Sequence, residues 1–541
     1  MHEAEEELKT RVPLRAAAWE WVALAFIIGA AVFLRFGRLD LIEFKSDEAN
    51  ALQRAMDIVN NRTLPGIGLM SSVHVQNPPL FIYLLVPVVA LCANLAFITS
   101  FIASMGTAAV VVCWHIGRKY YSAATGLVAA ALFAVAPWAV VFSRKIWAQD
   151  FVPLFATLTL WALHALVLGR DRRAVFWVVL LPLCVIQVHF SGLALTAAVC
   201  CILLLLRPEF DWRVAGGGAA VALVLLVPYL HYQTHNRWVD FDQAARTVAG
   251  NSYNGTTGGN YRYFTHALGV VNGGEIDDLL QSDTRKFEER LSFENWALVF
   301  QQCIFVVAVI YLALLAARGI RWSGTFPWAT VDSDELRTSW MLVCWVVVPL
   351  AIYSGVRLST ILAYYVLFYP APWLLCAVIW QKLWRRAGRD ISGKVLLCGA
   401  LGIVLAGNLS FVLNLYGFLN ANGGAHGYGT ILRYKQQAAA YLAGNTNVLQ
   451  LQSEKRLVEM DKFGRLTTPN PDFPLLAVIS RIASAGPAVP PGTTVVIVDR
   501  YRAVFTREQW AHLANFPKRE FGPVLLYFLP DSRVSSGALL F

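Results

Sequence analysis

The sequence predicts a polytopic α-helical membrane protein, and three observations carry that prediction. Hydrophobic residues make up 57% of the 541 and charged residues 15%, against about 45–50% and about 25% in soluble chains. Mean hydropathy is +0.51. Twelve apolar stretches lie near 17–36, 78–93, 94–116, 123–142, 151–168, 174–190, 191–206, 214–231, 296–316, 339–354, 361–380 and 395–416, most of them approaching the roughly 20 residues a spanning helix needs.

The second stretch is the exception. It opens on Asn77-Pro78-Pro79 and contains Pro87. Basic residues gather in cytoplasmic loops, and this rule tests whether 78–93 crosses. If it does not, and the N-terminus is cytoplasmic, the inner loops hold 18 Lys and Arg while the short outer segments 37–77, 143–150 and 355–360 hold seven. Counting 78–93 as a span puts the clusters Arg170–Arg173 and Lys382–Arg389 outside. Eleven spans are therefore expected, with 78–93 an outer element dipping into the membrane. The first apolar stretch follows the acidic run Glu5-Glu6-Glu7 and is long enough to stay as a span, not a cleaved leader.

This topology divides the chain into a membrane domain, 1–416, and an extracytoplasmic tail, 417–541. The membrane domain carries a first outer loop at 37–77 and a long one at 232–295, glycine-rich between Gly250 and Gly274 and expected to be partly mobile. In the tail, Asn447–Leu451, Thr494–Val498 and Val524–Phe528 read as buried strands by β-branched content and turn flanks. Helical patterns near 431–443, 474–485 and 506–515 alternate with them, giving a small α/β layer. Net charge is +10, but no dense basic run with interleaved aromatics is present, so no nucleic-acid partner is expected. The nine cysteines lie in apolar stretches without a C-x-x-C pair and read as buried hydrophobes.

Chemistry concentrates on the outer side. Glu43-Phe-Lys45-Ser-Asp47-Glu48 follows the first span and opens a helical stretch to Asp57. Carboxylates are favoured at such a helix start, so the pair Asp47 and Glu48 reads as a cap or as a functional site. The turn Ser143-Arg144-Lys145-Ile-Trp-Ala-Gln-Asp150 places two cations outside, against the orientation bias, where they suit an anionic phosphate. Asp150 fits a helix N-cap or a second acidic site. His74-Val-Gln-Asn77 leads into the dipping segment with Tyr83, and Arg357 precedes the tyrosines Tyr364 and Tyr365 at the outer end of the tenth span. Aromatics at this level also serve as ordinary interfacial anchors.

Together, Asp47-Glu48 after span one, Asn77-Pro-Pro-Leu-Phe-Ile-Tyr83, Ser143–Asp150 and Tyr364-Tyr-Val-Leu-Phe-Tyr-Pro370 resemble the membrane glycosyltransferases of the GT-C fold. Within them the sequence looks most like the family-39-type group of protein O-mannosyltransferases and lipid A aminoarabinose transferases. The resemblance covers roughly residues 17–416. It implies an inverting transferase that moves a sugar from a polyprenyl-phosphate carrier, such as undecaprenyl phosphate, to a glycan, lipid or protein acceptor of the cell envelope. It places the multi-pass enzyme in the cytoplasmic (inner) membrane, with the site facing out.

By motif, Asp47 would be the catalytic carboxylate, Glu48 its neighbour and Asp150 the second acidic residue. Arg357, Arg144, Lys145 and Lys45 would bind the phosphate. His74, Asn77, Tyr83, Tyr364 and Tyr365 would hold substrate or lipid, although His74 and Asn77 stand where the aminoarabinose transferases have an aromatic and a lysine. No cofactor is required, and a divalent metal held by Asp47, Glu48 and Asp150 is the one alternative. The competing function is a transporter or flippase of a lipid-linked glycan. Such proteins concentrate charge near mid-membrane in repeated halves, whereas here charge collects on the outer face.

Overall fold

The computed structural model describes residues 18–71, 75–249, 262–322, 329–331, 333–356, 360–442, 448–451, 490, 492–501 and 507–530. Helices dominate. The first, α1 (Ala18–Phe36), is followed by α2 (Ser46–Asn61), α3 (Leu80–Leu91), α4 (Leu95–Tyr120), α5 (Ala123–Val135) and α6 (Pro137–Val141). Then come α7 (Ala148–Val167), α8 (Val175–Val188), α9 (Gly192–Leu206) and α10 (Trp212–His235). Among the described residues seven helices are long and apolar enough to cross a membrane, or eight if one bent pair counts as a span.

The eleven expected spans each have helical counterparts, but they are not eleven full-length helices. The stretch 123–142 breaks at Ala136–Pro137, where proline has no N–H to continue α5. The carbonyls freed by that break are taken by Arg35, a fully buried residue of α1, whose guanidinium donates to Ala134 O at 2.7 Å and Phe133 O at 3.2 Å. Helices α8 and α9 have 14 and 15 residues, about 21–23 Å of rise. The segment expected to dip is α3, whose 12 residues span about 18 Å, well short of a bilayer core. It packs on α2.

The loop 232–295 folds far more than expected. It contains α11 (Val239–Ala249), α12 (Arg262–Gly269), α13 (Asp277–Leu280) and α14 (Thr284–Glu288), and Val270, Val271 and Asn272 between them are fully buried. The side chain of Asn272 explains the ordered glycine turn: its amide donates to Leu298 O at 2.7 Å and its oxygen accepts from Gly274 N at 2.9 Å. Trp138 of α6 then donates its indole N–H to Gly274 O at 2.7 Å. Residues 250–261 of the glycine-rich run lie outside the described residues.

The second half holds α15 (Phe293–Arg318), the two-stranded ribbon β1 (Ile320–Trp322) and β2 (Ala329–Val331), and α16 (Asp334–Val356). A 3-10 turn, Leu362–Phe368, meets α17 (Ala371–Ala387) at a 54° bend. Last comes α18 (Ile391–Asn422), which starts at Asp390, whose carboxylate accepts from Ser392 N at 3.0 Å.

Beyond α18 the short ladder β3 (Gly424–Ala425) and β4 (Gly429–Thr430) leads into α19 (Leu432–Leu442) and a four-stranded sheet. The strands are β5 (Val448–Leu451), β6 (Thr493–Asp499), β7 (Lys518–Phe521) and β8 (Val524–Pro530), in the order β5-β6-β8-β7, with β5 parallel to β6 and the other pairs antiparallel. Alternation sorts its faces. Val496, Val498, Leu525, Tyr527 and Leu529 cluster with Leu513 of the helix α20 (Arg507–Leu513), while Val495, Ile497, Val524 and Leu526 join the main core. The expected helices near 431–443 and 506–515 and the three strands are present; 474–485 lies outside the described residues.

Candidate active site

The tail grips the loop that follows α1. Leu432 N donates to Ile42 O at 3.1 Å, and Lys435 Nζ to Phe44 O at 2.6 Å. That loop runs into α2, whose first turn is Ser46, Asp47 and Glu48. Glu48 reaches back, and its carboxylate accepts from Lys45 N at 2.8 Å. This is one half of the capping arrangement that fixes a helix start. It turns Glu48 inward and leaves Asp47, one residue earlier, exposed to the space above.

That space is a cavity of about 690 Å³ at one end of the bundle. One wall is Glu43, Lys45, Asp47, Glu48 and Lys145. The opposite wall is Arg262 of α12 with Asp277, Asp278 and Gln281 at and after α13. Between them, Trp138, Phe142, Trp147 and Leu362 supply an apolar side, and the Gly427 backbone closes the bottom.

Charge in the first wall is knotted together. Lys145 Nζ sits 3.1 Å from Glu48 and 3.3 Å from Glu43, and 4.0 Å above the Trp147 ring. Glu43 also pairs with Lys45, whose ammonium donates to Gly427 O at 2.6 Å. Burial by itself raises the Glu43 carboxyl, but the Lys145 and Lys45 ammonium groups outweigh it and bring its pKa down to about 2. Burial raises the Glu48 carboxyl, and Lys145 only partly offsets this because Glu43 and Asp47 add negative charge beside it. Desolvation alone lowers Lys145, yet its carboxylate neighbours prevail and raise it above the usual lysine value. The result is a lysine held as a cation next to one exposed aspartate.

The residues expected from the sequence are thus distributed unequally. Lys45, Asp47, Glu48 and Lys145 share the cavity. Asp150 lies behind it, 1% exposed, on the first turn of α7, and its carboxylate accepts from Lys145 N at 2.9 Å. It is not an N-cap, since Trp147 occupies that position. Arg144 turns away: its guanidinium donates to Arg38 O at 2.6 Å and stacks 4.3 Å over Tyr416. Asn77 stitches its own loop, with N and Nδ2 both donating to Leu69 O at 3.0 and 2.9 Å, and Tyr83 donates to Pro65 O at 2.7 Å.

The two tyrosines also point elsewhere. Tyr364 packs on His189 at 4.9 Å between rings, while Tyr365 is fully buried, its hydroxyl 3.2 Å from Thr360 Oγ1. Their neighbours Ile361, Leu362 and Ala363 line the cavity instead. His74 and Arg357 lie outside the described residues. Among the described residues no three His, Cys, Asp or Glu side chains are grouped to hold a metal ion. In particular Glu48 is engaged by Lys45 and Lys145, and Asp150 by the Lys145 backbone.

The sequence reading missed the far wall. Asp278 accepts from Leu362 N at 3.4 Å, and buried His266 approaches it at 3.9 Å and Glu275 at 3.4 Å. Burial raises the Asp278 carboxyl despite the nearby His266. Glu43 was missed as well, although it lies in the run Glu43–Glu48. An acidic residue four positions before an acidic pair was the available signal.

A bundle of this architecture, with its charged cavity at one end, has the GT-C membrane fold. In particular it is similar to ArnT from Cupriavidus metallidurans bound to undecaprenyl phosphate, at a TM-score of 0.56 and 13% identity, over 95% of this chain and 98% of that one. It also matches the archaeal oligosaccharyltransferase AglB from Archaeoglobus fulgidus, in complex with an inhibitory peptide and a dolichol-phosphate, at a TM-score of 0.44 and 12% identity; the match covers 79% of this chain and 58% of AglB. No family model and no curated protein matches the sequence.

Proposed function

We propose that this chain is an inverting glycosyltransferase that takes a sugar from a polyprenyl phosphate and transfers it to an acceptor on the outer side of the cytoplasmic membrane. One observation carries the reading: a single cavity presents an exposed carboxylate, Asp47, beside a lysine, Lys145, that two buried glutamates keep charged. A sugar phosphate already has a good leaving group, so the step needs a base for the acceptor hydroxyl and a cation for the departing phosphate. Asp47 is the general base and Lys145, with Lys45, the phosphate ligand. Glu43 and Glu48 position that lysine and hold its proton. Asp150 fixes the turn that carries it.

The similarity to a structure holding undecaprenyl phosphate supports a lipid-phosphate donor. The apolar side formed by Trp138, Phe142 and Leu362 gives the first isoprene units a surface beside the phosphate. The reading is tested by offering the purified protein a panel of polyprenyl-phosphate sugars and following consumption. Turnover of one sugar by wild type and none by Asp47→Asn is expected. Full turnover in Asp47→Asn would remove the assigned base.

A further inference from the structure

The bundle has a second cavity, and it lies at the other end. Helix α7 starts beneath the site at Ala148 and ends at Val167, and twenty residues of helix measure about 30 Å. Around its far end, the C-termini of α4 and α17 and the N-terminus of α16 enclose about 870 Å³, more than the site itself. The rim is Arg118, Lys119, Lys382 and Arg385 against Asp334 and Glu335; Leu342 and Val378 form an apolar floor.

Two of these cations are already used. Arg118 Nε bonds Glu20 at 3.0 Å, and Lys382 pairs with Glu335. Lys119 lies 5.2 Å over the Tyr120 ring, and neither it nor Arg385 has an ion-pair partner among the described residues. The Tyr120 hydroxyl is buried in the same lining and has no hydrogen-bond partner among those residues. A buried hydroxyl without a partner is costly, and a lining of four cations, Lys119 and Arg385 among them, against the two carboxylates Asp334 and Glu335 is net positive and favours an anion with several acceptor oxygens.

A phosphate meets these demands, and the apolar floor between helices selects a phosphate that carries acyl chains. Basic pockets between transmembrane helices bind anionic headgroups in this way. We propose that this cavity binds the phosphate headgroup of an anionic phospholipid, at the membrane face opposite the active site. Lys119 and Arg385 contact its oxygens and Tyr120 donates to one of them. A free phosphate shares the headgroup chemistry but leaves the floor uncovered. The chain's own acidic run Glu5–Glu7 is the competing anion, because α1 begins beside Arg118.

The test uses the full-length protein in detergent, with binding followed by native mass spectrometry and thermal unfolding. The probes are short-chain phosphatidylglycerol, short-chain phosphatidylcholine and inorganic phosphate. Phosphatidylglycerol is expected to bind at least tenfold tighter than phosphatidylcholine. The double variant Lys119→Gln/Arg385→Gln should weaken it roughly thirtyfold, and Tyr120→Phe about tenfold. Asp47→Asn, at the other end, should bind as wild type. Inorganic phosphate binding as tightly as the lipid would assign the same residues to a soluble phosphate. Equal binding of the two lipids, or unchanged binding in Tyr120→Phe and the double variant, overturns the proposal. So does lipid binding that appears only after residues 2–15 are deleted, because the acidic segment then fills the cavity.

Discussion

Lys145 and Glu48 face each other at 3.1 Å inside the wall of the cavity, with Glu48 fully buried and the same ammonium 3.3 Å from Glu43. A buried carboxylate of this kind is tolerable only with its partner in place. The pair therefore couples the stability of the wall to the charge that the cavity offers a substrate.

Replacing the exposed carboxylate should separate chemistry from folding. Asp47→Asn has no buried ion pair to break. Turnover should fall about 10²- to 10⁴-fold, with the unfolding temperature unchanged. A parallel drop in unfolding temperature would mean that Asp47 holds the helix start.

Glu43→Gln should behave in the opposite way. It leaves Lys45 and Lys145 facing one fewer carboxylate, and removal of one partner of a buried pair costs about 3–5 kcal/mol. Denaturation in detergent should show that loss before any donor is added.

The two glutamates should also give opposite acid responses. Glu43 is lowered from 4.5 to about 2, so its stabilisation is complete above pH 4.5 and is lost as pH falls towards 2. Glu48 is raised above 4.5. Its folded form holds a proton more tightly than the unfolded chain, so acidification down to pH 4.5 favours the fold. Unfolding temperatures of wild type and Glu48→Gln between pH 8 and 4.5 should converge on the acid side; parallel curves would contradict the raised Glu48.

Arg144→Gln distinguishes the two neighbouring cations. Its loss of the Arg38 carbonyl and of the Tyr416 face should cost about 1.5–3 kcal/mol with little change in donor KM. Lys145→Gln should raise donor KM or abolish turnover. A donor KM that rises in Arg144→Gln would put that guanidinium on the phosphate.

Lys435→Met removes a bond to the backbone just before Lys45. A displacement of the Asp47 loop by about 1 Å would lower turnover about a hundredfold, although Lys435 lies in the tail. Turnover equal to wild type would show that the loop holds its place without α19.

The fold was readable because hydropathy acts over whole segments. Helix integrity was less so. Pro137 marks a break in the apolar run 123–142 that hydropathy averages over, and nothing local shows that Arg35, about a hundred residues earlier, satisfies the broken end. In the site, Asp47, Glu48 and Lys145 could be found because acidic and basic residues cluster locally. Arg144 and Lys145 could not be told apart, since adjacent loop residues point in directions that only packing decides. The wall of Arg262, Asp277 and Asp278 escaped notice because its helices are too short to show a period, and Asn272, not an apolar pattern, orders the turn between them.

Lys45 donates to Gly427, 382 positions further along the chain, and Phe44 accepts from Lys435 beyond it. The floor of the cavity is thus absent until nearly four-fifths of the polypeptide has been synthesised. A nascent chain can insert its first helices and expose Asp47 for the whole of that interval without a pocket in which to use it. Assembly order thus withholds the closed cavity until the tail has joined the loop after α1.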